Sequence, residues 1–382
     1  MLLKTFGGAF SVTVLALAAA FAYGGPSGLA VAAILGILEI SVSFDNAVVN
    51  AGQLGRLNPF WQRMFLTVGV LIAVFGMRLL FPVVIVCLTA HITPAEAYHL
   101  AMDGGSVHTP GTYANLLHQA HPAIAAFGGV FLLTLFLDFI LEDREINWLT
   151  WLERPLARVG KLDQVSVVIS CLVLLIAVAT VTPADKDASV LTAGVFGLVA
   201  YLAVNGLGNL FEDDEAEEEA GEELPGIHGD PERIAQVVRP PSRPLAVAGL
   251  VGRQALAVFL FLEVLDATFS FDGVIGAFAI TSDPIIIAIG LGIGAMYIRS
   301  LTVFLVRKGT LSEYLYLEHG AHWAIGSLAV LLLVTIKYEV PEVITGLIGV
   351  AFIGAALLSS IARNRREART EATERTLTGA PV

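Results

Sequence analysis

Charge is scarce in this sequence. Of 382 residues only 15% are Asp, Glu, Lys or Arg, against roughly 25% in ordinary soluble domains. With 56% hydrophobic residues and a mean hydropathy of +0.76, such a chain cannot lie mostly in water. Positive charge is the scarcer sign. Twenty-two Lys and Arg against 34 Asp and Glu give a net charge of −12, which excludes a generally basic nucleic-acid binder. Cysteine is nearly absent: Cys87 and Cys171 both sit inside apolar runs, which excludes a disulfide framework and a thiolate metal site. Each reads as a small buried hydrophobe. HExxH, GxSxG and a Cys–His arrangement are missing too, so the chain is not read as an enzyme and no prosthetic group is expected. The one enzymatic alternative is an intramembrane aspartyl-type hydrolase using Asp45 and Asp272.

What the sequence does have is long apolar runs, and about 20 apolar residues cross a bilayer core. Ten candidate spans cover residues 6–23, 28–52, 64–90, 122–141, 165–182, 188–210, 247–280, 284–306, 321–338 and 341–361. The third contains Pro82 and is expected to kink. With the N-terminus cytoplasmic, seventeen Lys and Arg fall in cytoplasmic segments and only Lys186 and Lys337 outside. That bias follows the positive-inside rule and places both termini in the cytoplasm of a cell whose inner (plasma) membrane holds the chain. Lys4, a short apolar stretch and Ala20-Phe21-Ala22 also fit a cleavable signal peptide, which would leave nine spans. The repeat described next favours retention.

Acids in the apolar core cost roughly 2.5–3.5 kcal/mol each on insertion scales, so they are functional candidates. Span two reads LEISVSFDNAVVNA, with Glu39, Ser43, Asp45, Asn46 and Asn50; span seven reads LEVLDATFSFDGVIGAFA, with Glu263, Asp266, Ser270, Asp272 and Gly273. Superposing Ser43-Phe44-Asp45 on Ser270-Phe271-Asp272 places Glu39 on Asp266. The next spans match as well, because Gly69 and Arg78 are nine apart, as are Gly290 and Arg299. Span two runs inward and span seven outward, so the repeat is inverted, a recurring transporter design with its site near the midplane. The expected fold is therefore an all-α polytopic membrane protein of about ten transmembrane helices in two inverted five-helix repeats. Residues 1–182 form the first repeat, 188–361 the second, and 362–382 a basic cytoplasmic tail.

Residues six apart on an ideal helix point about 120° away from each other. Bringing Glu39 to Asp45, and Asp266 to Asp272, therefore predicts broken helices at Ser43–Asn46 and Ser270–Gly273. Carboxylates, hydroxyls and amides suit hard divalent cations such as Mg²⁺, Ca²⁺ and Mn²⁺. Glu39, Asp45, Asp266 and Asp272 are the expected ligands, with Ser43, Asn46, Glu263 and Ser270 in support. Spare carboxylates would carry protons, and Arg78 and Arg299 are expected to pair with some of the acids. The alternative is that these groups are ion pairs that only lock helix packing.

The ExxxSFDN and DxxFSFD elements resemble those of the TerC family of integral membrane proteins, associated with tellurium resistance and, in some members, manganese export. The stretch Trp148–Lys161 resembles a less characterised branch, and the plan is similar to the LysE-type exporters. The resemblance implies efflux of a divalent ion, manganese foremost, through Glu39, Asp45, Asp266 and Asp272. The long acidic loop has no match in it.

The remaining segments read more plainly. Outer residues 91–121 hold five of the eight histidines at irregular spacing and read as a polar loop rather than a zinc site. Residues 142–164 read as an interfacial helix with Trp148 and Trp151 at headgroup level. The cytoplasmic loop 211–245 opens on nine acids in 211–223 and is expected to be a solvated, disordered tether. His319 and His322 are read as interfacial residues before span nine. The expected partners are a divalent cation, protons and the lipid bilayer, with self-association compatible and nucleic acid excluded. A membrane scaffold or insertion factor that moves no ion is the alternative function.

Overall fold

A computed structural model describes residues 2–144, 146–162, 164–221 and 249–378. Among the described residues there is no strand, only one isolated bridge between Leu57 and Leu250. Lipid offers no hydrogen-bond partners, so an apolar chain satisfies its backbone within helices. Among the described residues, seven stretches are long and apolar enough to cross a membrane: Phe6–Val42, Pro59–Ala90, Tyr113–Leu141, Asp187–Gly206, Pro284–Lys308, Leu317–Thr335 and Ile344–Glu367. The molecule is therefore a multi-pass membrane protein.

Helix α1 (Leu2–Val42) is not one rod. Gly25, at φ 63° and ψ −156°, adopts a conformation that favours glycine, and Pro26 follows it. Gly28 comes back against the carbonyl of Ala20, so the helix reverses at this point into two limbs. Both limbs lie along α11 (Pro284–Lys308), Phe6 and Phe10 meeting Tyr297 from the first and Gly36 meeting Gly290 from the second. The second limb breaks at Ser43 (φ −93°, ψ 17°) and continues as α2 (Phe44–Leu54).

Next come α3 (Pro59–Leu71), a π-helical stretch Ile72–Leu80 and α4 (Phe81–Ala90), joined end to end. The expected kink at Pro82 takes the form of this widened segment. Proline has no N–H to donate and crowds the carbonyl four residues back, and the π turns loosen the helix just before it. Helix α5 (Pro94–Asp103) starts at a Thr93–Glu96 capping box, so the outer segment read as a loop is partly helical. Helix α6 (Tyr113–Leu141) is buried along most of its length, with Phe131 and Leu132 packed among Leu265 and Leu332. Small residues let its neighbours close in, as Gly326 does against the ring of Phe136.

Helix α7 (Thr150–Val159) is the amphipathic segment expected beside the membrane, with Trp151 exposed. Helix α8 (Val165–Thr180) is apolar and shorter. Helix α9 (Asp187–Gly221) corrects one expectation: residues 211–221 continue it as regular helix instead of a disordered tether. Glu and Ala are strong helix formers, and an existing helix supplies the nucleus that an isolated acidic run lacks. Residues 222–245 of the expected tether lie outside the described residues.

Helices α10 (Gly252–Ile280) and α11 form a hairpin through Thr281–Asp283. The second limbs of both principal hairpins begin alike: Asn58-Pro59 caps α3, and Asp283-Pro284 caps α11. The short α12 (Thr310–Glu313) leads to α13 (Leu317–Thr335) and α14 (Glu342–Thr378). The α2–α3 turn is pinned to the start of α10, because Leu250 N donates to Arg56 O at 2.8 Å and Asn58 N to Leu250 O at 3.3 Å.

Candidate functional site

Two buried ion-pair clusters lie within the helices, each built inside one hairpin. In the first, Arg78 Nη2 donates to Glu39 Oε1 at 2.5 Å and Nη1 to the carbonyl of Ala73 at 2.9 Å. Ala73 stands five residues before Arg78, the spacing a π-helical turn brings close. In the second, Arg299 holds two acids. Its Nη1 and Nη2 fork onto Glu263 at 2.9 and 3.0 Å, and Nη2 also reaches Asp266 Oδ2 at 2.9 Å. Nη1 donates further to the carbonyl of Phe65 at 3.1 Å, and the guanidinium lies 4.2 Å from the Phe65 ring centre. Arg78 and Arg299 are 4% and 1% exposed. Charges so enclosed are tolerable only when paired, and here the Nη groups carry the pairing while both Nε groups have no partner among the described residues.

Glycines make the room. A Cβ on Gly69 would lie 2.3 Å from Arg299 Nη1 and 2.5 Å from Glu263 Oε1. A Cβ on Gly294 would lie 2.3 Å from Glu39 Cγ, and one on Gly273 would lie 2.9 Å from Glu39 Oε2. Glu39 of the first acidic motif is thus wedged against the residue that follows Asp272 in the second. The motifs meet in space although more than 200 residues separate them.

The contacts also correspond across the two halves. In the aligned motifs Gly36 falls on Glu263, and Gly69 falls on Gly290. Gly36 touches Gly290, and Glu263 touches Gly69. The second limb of α1 runs alongside α11, since Gly28 meets Ile286 and Glu39 meets Gly294. Arg299 reaches Glu263 and Asp266 across the α10–α11 hairpin, so α10 runs opposite to that limb.

The structure departs from expectation at the second motif. Helix α10 is continuous through Ser270–Gly273, and only the first motif breaks, at Ser43. Even there Ser43 N still bonds Glu39 O at 2.9 Å. The reason is spacing: Glu263 and Asp266 are three residues apart and share one face, so one guanidinium binds both without unwinding. Ser43, Asn46 and Ser270 are buried nearby in sequence. The side chains of Asp45 and Asp272 lie outside the described residues. Among the described residues no three His, Cys, Asp or Glu side chains form a metal-binding group.

Cavities flank this region at both ends of the bundle. At the end carrying the histidine-rich segment, a cavity of about 770 Å³ is lined by His108, His118, His121, Lys186, Lys337 and Glu339. It reaches Leu38, the neighbour of Glu39, and Gly276. At the Arg56 end a cavity of about 120 Å³ includes Gln53, Asn205 and Gln254.

A third polar cluster ties α7 to α13. Glu153 Oε2 accepts from Trp148 N at 2.8 Å, and Oε1 from Trp323 Nε1 at 3.2 Å. His319 Nδ1 stands 3.3 Å from Oε2 at ion-pair distance without hydrogen-bond alignment. Burial alone would push the Glu153 carboxyl up, but contacts from His319 and Trp323 outweigh it and hold the group below the usual range. His322 stacks on Phe139 with ring centres 3.5 Å apart. The two histidines read as interfacial are therefore enclosed, because α7 and Phe139 cover them. Nothing in the sequence pattern singles out Glu153 or the cradling role of Gly273 and Gly294. The pairing of Gly69 with Gly290 was the one available signal of close approach.

Residues 44–367 match the family described as a protein of unknown function, DUF475. No curated protein and no solved structure matches the chain.

Proposed function

The chain belongs to the DUF475 family, and we propose that it is an exporter of divalent cations, manganese foremost, that exchanges the ion for protons at buried carboxylates. The observation that carries this reading is the meeting of the two acidic motifs in the membrane interior, with Glu39 against Gly273 and each arginine bound to acids of its own hairpin. Three acids against two arginines leave the described clusters with an excess negative charge when all are ionised, before Asp45 and Asp272 are counted. A purely structural lock has no need of that excess.

Ten crossings in two inverted halves are the architecture of this proposal. The matched contacts Gly36–Gly290 and Glu263–Gly69, and the opposite run of α10 and the second limb of α1, support it. The Lys and Arg distribution supports an orientation with the Arg56 end and both termini in the cytoplasm, and the membrane of this proposal is the plasma (inner) membrane. The proposed ligands are Glu39, Asp45, Asp266 and Asp272, with hydroxyl and amide oxygens of Ser43, Asn46 and Ser270 completing an oxygen shell of the kind hard cations take. In the arginine-bound arrangement the guanidinium groups of Arg78 and Arg299 offset part of the negative charge of Glu39, Glu263 and Asp266. An arriving cation displaces Arg78 or Arg299 from its acid, and a proton replaces the cation when it leaves. The broad cavity lined by His118 and Lys186 gives it a wet exit. The likeness of the motifs to those of the TerC family points the same way.

The test is manganese flux in proteoliposomes holding a pH dye. Wild type is expected to move metal one way and protons the other, and the double variant Asp45→Asn/Asp272→Asn to do neither while folding normally. Equal flux in wild type and variant would overturn the site; no flux of manganese, calcium or magnesium in folded wild type would overturn the transport reading.

A further inference from the structure

Asn50 is fully enclosed in α2, yet neither its Nδ2 nor its Oδ1 has a hydrogen-bond partner. Buried amides are normally satisfied, and an open one calls for an explanation, an ordered water or an ion being the one that suits a polar row of side chains. Asn50 belongs to a row. Ser43, Asn46, Asn50 and Gln53 fall within about 80° of one another around a helix of 100° per residue. The first three are buried.

The row runs from the buried acids to a cavity. Its upper end is the break at Ser43, one turn from Glu39 and two residues before Asp45 in the chain. Its lower end is Gln53, which lines both the cavity of about 120 Å³ at the Arg56 end and a second of about 10 Å³ beside Glu318 and His322. Roughly 10–15 Å³ accommodates one water, so the larger cavity takes several and the smaller about one. Gln53 Oε1 accepts from Arg56 Nη1 at 3.3 Å across the mouth.

We propose that this face of α2 is the access path for a partly hydrated divalent cation from the Arg56 end to the buried acids, with Asn50 as its intermediate ligand. The path rests on the transport reading above and adds to it a route and a residue. Neutral amide oxygens suit the task. They replace part of the hydration shell of a hard cation, as carbonyl oxygens do in cation sites, but lack the charge that would trap it short of the carboxylates.

Single cysteines at Asn46, Asn50, Gln53 and Ala51, in a background with Cys87→Ala and Cys171→Ala, test it. Ala51 lies about 100° around the helix from Asn50 and is equally buried. A membrane-impermeant methanethiosulfonate is supplied from the Arg56 end of the protein in proteoliposomes, and labelling is read by mass. Asn50→Cys and Asn46→Cys are expected to react at least tenfold faster than Ala51→Cys, with Gln53→Cys fastest. Labelled Gln53→Cys with unlabelled Asn50→Cys would overturn the path, as would equal rates at Asn50 and Ala51. Repeating the labelling in Glu39→Gln needs no flux, so a path that labels in a chain without transport separates the two readings. Asn50→Leu covers misfolding of the cysteine variant. It is expected to raise the unfolding temperature, by removing the open amide, while lowering manganese flux at least tenfold; unchanged flux would overturn the assignment.

Discussion

At the scale of single residues, Arg299 matters most. Its guanidinium satisfies two acids and a helix carbonyl at once, so its loss leaves buried charge with no counter-ion. Arg299→Met is expected to destabilise the protein by about 3–5 kcal/mol, measured by thermal unfolding in detergent. Adding Glu263→Gln and Asp266→Asn should restore much of that loss, because the penalty lies in the stranded charge. Gly69→Ala acts on the same cluster from the other side. Its methyl group would overlap Arg299 Nη1, and a cost of about 1–3 kcal/mol is expected by the same measurement. The arginines and their acids were legible in the sequence because ionisable groups are rare inside apolar runs and so stand out. The sharing of Arg299 was not. Glu263 has Gly36 as its counterpart, so the repeat gave no reason to look for a second acid there.

At the scale of elements, the apolar runs foretold helices well, and the gap between spans 6–23 and 28–52 falls at the reversal. Periodicity does not mark where the turns widen, as they do over Ile72–Leu80. The reversal at Gly25 depends on a backbone conformation that favours glycine. Gly25→Val is expected to cost about 1–3 kcal/mol and to make residues 20–28 more open to proteolysis, the latter read by limited digestion. The second acidic motif misled for a different reason. Ser, Asp and Gly permit a break without requiring one, and in α10 the acids that matter already share a face. In the first motif the acids are six apart, with no neighbour three residues from Glu39 to stand in for Asp45.

At the scale of the whole molecule, α7 packs Leu156 and Ala157 on the bundle and is tied to α13 through one carboxylate. The Glu153 carboxyl titrates below its ordinary range when folded, so the contact contributes fully above the unfolded value of about 4.3 and fades as pH falls through the lower folded value. Lowering pH through that window should loosen α7 from α13. Hydrogen exchange of residues 150–159 is expected to rise on acidification in wild type and to be high at every pH in Glu153→Ala. No pH dependence in wild type would show that Trp323 and His319 hold the helix without the charge. The membrane class of the protein was legible from composition alone. This docking was not, since one acid among the charges of 142–164 looks like any other until Trp323 and His319 arrive from far along the chain.

Helix α11 touches both buried clusters. Gly294 receives Glu39 from the first hairpin, and Arg299, about 7.5 Å further along the axis, grips Glu263 and Asp266 of the second. A rigid helix cannot slide at one of these points and stay still at the other. Movement of α11 by a single turn, about 5.4 Å, would carry the Gly294 notch past Glu39 and pull the Arg299 fork from its acids in one stroke. The two clusters then behave as teeth on a common rack, geared to disengage together, so that neither hairpin is free to change its occupancy alone.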